Sequence, residues 1–127
     1  MKTLKNLVCC LALVVFFFSC KKDQDIKPDI KFDYEISLNE SIQFDLISNP
    51  TTGYSWEWTN EQSISIVDST NHSFISDIPD SNICSGGKEI WKFTGIKVGI
   101  ETLKFEYNRS WEPNSTVEIK EIVVKVK

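Results

Sequence analysis

Apolar residues alternate with polar or charged ones through most of this sequence, and the alternation constrains the fold more than any other feature. The runs that show it are SIQFDLI at 41–47, YSWEWT at 54–59, SISIV at 63–67, EIWKF at 89–93 and ETLKFEY at 101–107. A period of two places successive side chains on opposite faces of a strand, so each run predicts a half-buried β-strand. The remainder of the chain after its N-terminal segment has no window with the period of an amphipathic helix.

The C-terminal run changes phase. Its apolar residues have one parity up to Ile119 and the other parity from Ile122 onwards. An extra residue would restore the facing, which predicts a β-bulge near Lys120 or Glu121. Seven or eight short strands separated by turn residues predict an all-β fold, an immunoglobulin-like antiparallel β-sandwich.

The N-terminal segment has the pattern of a secretory signal. Lys2 and Lys5 precede an apolar run at 7–18, which is too short to span a membrane as a helix. FFFSC, ending at Cys20, is similar to the lipobox of bacterial lipoproteins, where cleavage precedes a lipidated cysteine. We therefore predict a signal peptide at 1–19, a lipidated Cys20 with its tether at 20–31, and one folded domain at 32–127.

This organisation predicts attachment to the bacterial cell envelope, at the outer membrane, facing the periplasm or the surface. Acyl chains hold a protein at a membrane by burying methylene groups, while the domain itself stays in water. The alternative is a plain secretory signal in which Cys20 is incidental.

The charge of the mature chain argues against nucleic-acid binding. Removal of the signal leaves eighteen acidic and twelve basic side chains, a formal charge of −6. Lys21 and Lys22 form the only basic cluster, whereas a nucleic-acid-binding surface needs a basic patch that neutralises phosphates.

Catalytic hypotheses lack the residues that they need. His72 is the only histidine, and it lies in STNHS at 69–73, which we predict to be a solvated polar turn. Cys84 is the one cysteine left after signal removal and lipidation, so no disulfide framework is expected. A His72–Cys84 pair lacks an orienting group and an oxyanion site, and a zinc site needs more ligands. We therefore expect no enzymatic activity, no cofactor and no metal; the carboxylates alternate along the strands as those of exposed faces do.

The tryptophans admit an alternative function. Trp56, Trp58 and Trp91 have the parity of their apolar neighbours, which predicts core packing. Trp111 lies in NRSWEPNS at 108–115, among turn-forming residues, so its ring is either folded back as a plug or held out as a contact. An exposed ring suits a lipid-anchored surface module that binds a glycan or a protein, which is the alternative to the inhibitor described below.

Three loops have unusual sequences: NPTTGY at 49–54, ICSGGKE at 83–89, and NRSWEP at 108–113. In an immunoglobulin-like strand order, the connections after the second, fourth and sixth core strands emerge at the same end of the sandwich. We therefore expect the three loops to be neighbours.

These loops, in this order, resemble those of the chagasin-type inhibitors of papain-like cysteine proteases. NPTTGY with a following Trp56 is similar to that family's first inhibitory loop, SGG at 85–87 to the end of its second, and RSW at 109–111 to its third, usually Arg-Pro-Trp. The resemblance covers roughly residues 41–127. It implies a monomeric domain whose partner is a papain-like cysteine protease and which inhibits by reversible occlusion.

The resemblance also implies a protease-binding site. Its residues are Asn49, Pro50, Thr51, Thr52, Gly53, Tyr54, Gly86, Gly87, Arg109 and Trp111. The first loop is expected to enter the catalytic centre with Thr51 nearest the thiol. The glycines are expected to lie along the non-primed cleft, and Arg109 and Trp111 to contact the opposite side. Cys84 and Ser110 depart from the family's usual glycine and proline, which predicts looser second and third loops and lower affinity.

The residues of the first loop suit this role on physical grounds. Pro50 fixes its own φ and disfavours helical backbone at Asn49, while the β-branched Thr51 and Thr52 have few rotamers to lose. Gly53 can adopt a φ that is closed to other residues. Such a loop loses little conformational entropy when it is immobilised. Its surface is small and uncharged, so no charge has to be desolvated in a narrow cleft.

Overall fold

A computed structural model describes residues 30–78 and 85–127. Seven strands are described, namely β1 (Tyr34–Ile36), β2 (Ser41–Ser48), β3 (Ser55–Trp58), β4 (Val67–Ser76), β5 (Gly87–Gly95), β6 (Gly99–Asn108) and β7 (Glu118–Val126). They form a four-stranded sheet in the order β1-β7-β6-β3 and a three-stranded sheet in the order β2-β5-β4. All neighbours are antiparallel except β1 and β7. The predicted all-β sandwich is confirmed.

Short turns of 3₁₀-helix, at Pro50–Thr52 and Glu61–Ser63, are the helical elements of the described residues. Nowhere in 30–78 or 85–127 is there a helix with the length and apolar character needed to cross a membrane. The predicted signal peptide, Cys20 and Cys84 lie outside the described residues.

The core is formed by inward-facing residues of the alternating runs. Phe93, Leu103, Phe105 and Val124 have no exposed surface, and the Phe93 and Phe105 rings meet edge to face with centroids 6.2 Å apart. Its other buried apolar members are Ile36, Ile42, Phe44, Leu46, Trp56, Ile66, Val67, Trp91, Ile122 and Val126. Trp58 is half-buried against this cluster. The predicted packing role of Trp56, Trp58 and Trp91 is therefore confirmed.

The predicted bulge in the last strand is wrong. The pairing of β6 with β7 continues without interruption from Gly99↔Val126 to Tyr107↔Glu118, through Lys120 and Glu121. No extra residue is needed to turn Ile119 inward, because its side chain stays on the outer face, where it is 54% exposed. The register of the described strands shifts in β4, between Ser69 and Asn71.

The run at 63–67 does not form the strand that its alternation predicted. Ser63 ends a 3₁₀ turn, and β4 begins only at Val67. The intervening backbone is held by a side chain of β6, since the Glu101 carboxylate accepts hydrogen bonds from the N–H groups of Ser65 (2.8 Å) and Ile66 (3.1 Å). Desolvation raises the pKa of Glu101, but these hydrogen bonds outweigh it and hold that pKa below its ordinary value.

The segment at 69–73 was predicted to be a polar turn, and this is also wrong. It lies inside β4, at the edge of the three-stranded sheet, and pairs with β5. The His72 ring stacks on Trp91 with centroids 3.8 Å apart, and its Nε2 lies 2.9 Å from a Glu89 carboxylate oxygen. Val67 is the one buried residue of β4, so this strand carries little hydrophobic periodicity.

The register brings the three unusual loops to one end of the sandwich. In the three-stranded sheet, Ser48 and Ser76 both pair with Gly87; in the other sheet, Ser55 pairs with Asn108. The β2–β3, β4–β5 and β6–β7 connections therefore emerge at the same end, as expected. We call them loop 1 (49–54), loop 2 (77–86) and loop 3 (109–117), and the end that carries them the tip.

Candidate functional site

Loop 1 is a compact turn whose two threonine hydroxyl groups are bonded within the loop. The Asn49 side-chain oxygen accepts the hydroxyl of Thr51 (2.7 Å) and its N–H (3.3 Å). The Asn49 carbonyl accepts the hydroxyl of Thr52 (2.7 Å) and its N–H (3.1 Å). With Pro50 at the first position of the 3₁₀ turn, the loop is preformed before any partner arrives.

Gly53 ends this turn in a conformation that other residues avoid. Its φ is +82° and its N–H donates to the Pro50 carbonyl at 2.9 Å. A Cβ at this position would lie 2.8 Å from Cη2 of Trp111. The predicted need for glycine is therefore confirmed, and it has a second cause in the close approach of the Trp111 ring.

Arg109 joins loop 3 to loop 1. Its Nε donates to the Thr52 carbonyl at 3.2 Å, and its guanidinium carbon lies 4.5 Å from the centroid of the Tyr54 ring. Glu112 holds the other side of the guanidinium, with 3.0 Å between Nη1 and a carboxylate oxygen. The resemblance gave Arg109 a contact with a protease; the structure gives it contacts within the tip.

Loop 3 is closed at its base by Ser115. The hydroxyl of Ser115 accepts the Arg109 N–H and donates to the Arg109 carbonyl, both at 2.9 Å. Asn114 takes a positive φ of 59°, which asparagine tolerates better than most residues. Neither Glu112 nor Ser115 was singled out from the sequence, since their roles depend on partners that only the folded loop supplies.

Trp111 is held out from the loop. Its side chain is 70% exposed, and the far edge of its indole rests on Gly53. Of the two positions that the sequence left open, the structure has the exposed one.

The glycines at the end of loop 2 have different surroundings. Gly87 is the first residue of β5 and is buried; a Cβ there would lie 2.1 Å from the Ile75 carbonyl oxygen of β4. Its small size is therefore required by its own sheet. At Gly86 a Cβ would make only ordinary contacts, at 3.7 Å from Asp77 and from the Ser48 carbonyl.

One carboxylate departs from the exposed pattern that the sequence predicted. Glu89 is 3% exposed and lies beneath loop 1. Glu89 lies two residues before Trp91 and four before Phe93, so the alternation places its side chain on the same, inward face of the strand. Within the described ranges there is no group of three or more histidine, cysteine, aspartate or glutamate side chains placed to hold a metal ion.

Comparison with known families identifies the group to which this sandwich belongs. A sequence model of the family described as "Chagasin family peptidase inhibitor I42" matches residues 35–126. The chain belongs to the chagasin family of peptidase inhibitors. As a member of a family of inhibitors, it is not an enzyme.

Similar proteins include Amoebiasin-1 of Entamoeba histolytica, which is 33% identical over 81 residues, covering 63% of this chain and 76% of that protein. The solution structure of Amebosin is 30% identical with a TM-score of 0.54, and the match covers 73% of this chain and 84% of the other. The crystal structure of the cysteine protease inhibitor EhICP2 from Entamoeba histolytica is 20% identical with a TM-score of 0.58, and the match covers 76% of this chain and 100% of the other. This last likeness concerns the fold.

Proposed function

We propose that this domain is a reversible, occluding inhibitor of papain-like cysteine proteases, and that its three tip loops together fill the catalytic cleft. The observation that carries the proposal is the joined surface of loops 1 and 3. Arg109 bonds to Thr52 and Trp111 rests on Gly53, so the two loops are already in one arrangement. Preorganisation of this kind lowers the entropic cost of binding.

The tip of loop 1 suits a narrow active-site cleft. Asn49, Pro50, Thr51 and Thr52 are exposed and uncharged, and they project beyond the sandwich. Since no ionised side chain of this turn has to be desolvated, burial in the cleft carries little electrostatic cost.

The hydrogen bonding of Thr51 defines how it can act beside a catalytic thiol. Its hydroxyl proton is donated to Asn49, so its remaining capacity is that of an acceptor. A papain-like enzyme holds its cysteine as a thiolate beside a protonated histidine. We therefore propose that Thr51 accepts a hydrogen bond from that imidazolium, and that the loop bars water and substrate from the thiolate.

The backbone of loop 1 supports the proposal that inhibition is reversible. Residues 50–52 form a 3₁₀ turn, whereas a protease cleaves peptide held in an extended conformation. The proposed mechanism requires no covalent step, because loop 1 presents neither a thiol nor a peptide bond in a productive pose.

The other two loops act on either side of this wedge. Backbone at Gly86 can approach the cleft closely, because it has no Cβ. Trp111, which is 70% exposed, offers a large rigid surface for contacts on the opposite side. Arg109 holds loop 1 against loop 3 and can present what remains of its exposed guanidinium to the enzyme.

Titration of papain with the purified domain tests the proposal. The domain should compete with substrate, bind with one monomer to one enzyme, and still bind a papain whose active-site cysteine is replaced by serine. After prolonged incubation, mass spectrometry should find the inhibitor uncut. Undiminished proteolysis at roughly micromolar inhibitor, which corresponds to less than about 8 kcal/mol of binding free energy, would refute it.

We also propose that the chain is a bacterial lipoprotein, with the segment at 1–19 removed and Cys20 lipidated, so that the inhibitor is held at the cell envelope. The lipobox-like FFFSC at 16–20 supports this, and the family match begins only at residue 35. Mass spectrometry of the protein expressed in bacteria should find acyl chains on Cys20, and Cys20→Ser should move it from the membrane to the soluble fraction. An unacylated, soluble wild type would refute this proposal.

A further inference from the structure

The buried carboxylate of Glu89 lies where the two stems of loop 1 meet. Glu89 faces inward from β5, three residues after the end of loop 2, and is 3% exposed. Burial of a carboxylate is unfavourable unless hydrogen-bond donors surround it. Its partners are therefore informative.

One oxygen of this carboxylate joins both stems. Oε1 accepts the Ser48 hydroxyl at 2.7 Å and the Trp56 backbone N–H at 3.0 Å. Ser48 is the last residue of β2, directly before loop 1, and Trp56 is the second residue of β3, just after it. These strands belong to different sheets, so the carboxylate connects the two layers at the base of the loop.

The Trp56 N–H has a particular need for this acceptor. Within the described residues β3 is an edge strand that pairs with β6 alone, so N–H groups on its other side have no neighbouring strand. A buried N–H without a partner is destabilising. Glu89 therefore supplies a hydrogen bond that the sheet cannot, and it does so at the second residue of β3, close to the end of loop 1.

The second oxygen faces β4. Nε2 of His72 lies 2.9 Å from Oε2 of Glu89. The His72 side chain is 43% exposed, whereas the Glu89 side chain is 4% exposed. His72 stacks on Trp91 and so covers the carboxylate on its outer side. Oε1 of Glu89 thus binds the two stems, while Oε2 is covered by His72.

We propose that Glu89 is a positioning residue for inhibition: it fixes the separation of the two stems, and through them the presentation of loop 1. The proposal rests on the proposed function. Bonds within loop 1 preserve the shape of the turn and Arg109 joins it to loop 3, whereas the hydrogen bonds of Glu89 hold together the two stems that carry the turn.

The test compares Glu89→Met with Glu89→Gln. Methionine leaves the Ser48 hydroxyl and the Trp56 N–H without their acceptor, and we expect the Kd for papain to rise at least about tenfold. Glutamine keeps a carbonyl oxygen for both donors and can turn its amide toward His72, so its Kd should stay within about threefold of the wild type.

Val126→Ala is the matched control. Val126 is 1% exposed and pairs with Ile36 and Gly99 at the end opposite the tip. This variant should lower the melting temperature but leave the Kd within about twofold, since it is distant from the loop.

Amide hydrogen exchange provides a readout that needs no protease. In Glu89→Met, exchange at Asn49 should accelerate, because its N–H donates to the Tyr107 hydroxyl of the other sheet at 2.8 Å and this bond depends on the placement of the stem; in Val126→Ala it should stay at the wild-type rate. Should Glu89→Met not fold, Ser48→Ala removes one donor while leaving the carboxylate bonded to Trp56, and the same two measurements are made on it.

Wild-type affinity and exchange in Glu89→Met, or an equal loss of affinity in Val126→Ala, would overturn the proposal. A wild type that does not bind papain would refute the proposed function instead. In that case the exchange rates alone decide whether Glu89 holds loop 1.

Discussion

Gly86 and Gly87 are adjacent in sequence, and the structure predicts opposite outcomes when each is replaced by alanine. At Gly87 the new Cβ would lie 2.1 Å from the Ile75 carbonyl oxygen and 2.7 Å from Cζ of Phe74. At Gly86 the nearest atoms are 3.7 Å away, which is ordinary contact. The pair therefore separates a steric effect on the sheet from an effect at the tip.

The cost of Gly87→Ala follows from what must move. The obstacle is the backbone of β4, so relief requires this strand to withdraw from β5 where Ile75 pairs with Lys88 and Ser76 with Gly87. Overpacking of a tight site costs about 1 to 3 kcal/mol, and each weakened ladder hydrogen bond adds about 1 kcal/mol. We expect the free energy of unfolding to fall by about 3 kcal/mol.

Thermal unfolding followed by circular dichroism measures this. For a domain of this size, about 3 kcal/mol lowers the melting temperature by roughly 12 to 24 °C. Gly86→Ala should melt within about 2 °C of the wild type. If backbone at Gly86 lies against a protease, this variant should nevertheless inhibit papain less well.

If Gly87→Ala has the melting temperature of the wild type and yet loses inhibition, the proposed steric role of Gly87 in the sheet is refuted. Such a result would mean that Gly87 is present for the partner and that the sheet can accommodate a side chain. Equal destabilisation by both substitutions would also contradict it, because only one of the two sites is obstructed.

Further predictions concern the tip and the base of the sandwich. Trp111→Ala should weaken papain binding by about 1 to 3 kcal/mol with little change in melting temperature; a large drop in melting temperature would instead show that the ring packs with the core. Arg109→Ala should speed hydrogen exchange in loop 1 and raise the Kd several-fold, whereas the exposed Arg109–Glu112 pair adds little to stability; unchanged exchange would count against the bracing role. Because the pKa of Glu101 is depressed in the folded state, its contribution to stability is complete above the ordinary value of 4.5 and is lost as pH falls through the lowered value. Glu101→Gln should therefore reduce the difference in unfolding free energy between neutral and acidic solution, and an unchanged difference would contradict the assignment.

Those parts of the molecule that depend on local chemistry were predictable from the sequence. The alternation of β2, β3, β5 and β6 was sufficient because a strand's two faces differ in exposure wherever the strand lies. Loop 1 was predictable for a similar reason. The restricted φ of Pro50 and the positive φ of Gly53 are properties of those residues themselves.

Features that depend on a partner distant in the chain were not predictable. β4 is polar and nearly aperiodic, and it is a strand because β5 supplies its hydrogen bonds. Ile119 keeps an apolar side chain on an exposed face, so its parity wrongly indicated a bulge. Exposure is set by the boundary of the core, which no local pattern records.

The candidate site divides in the same way. The sequence by itself determined a small, stiff, uncharged turn, and the immunoglobulin-like sandwich predicted from it led us to expect three loops at one end. Only the tertiary structure decided that Arg109 bonds to Thr52, that Trp111 rests on Gly53, and that a buried carboxylate joins both stems of loop 1. The physical reason is that a turn is formed by neighbours in the chain, whereas its position is set by contacts between residues that meet only when the two sheets pack.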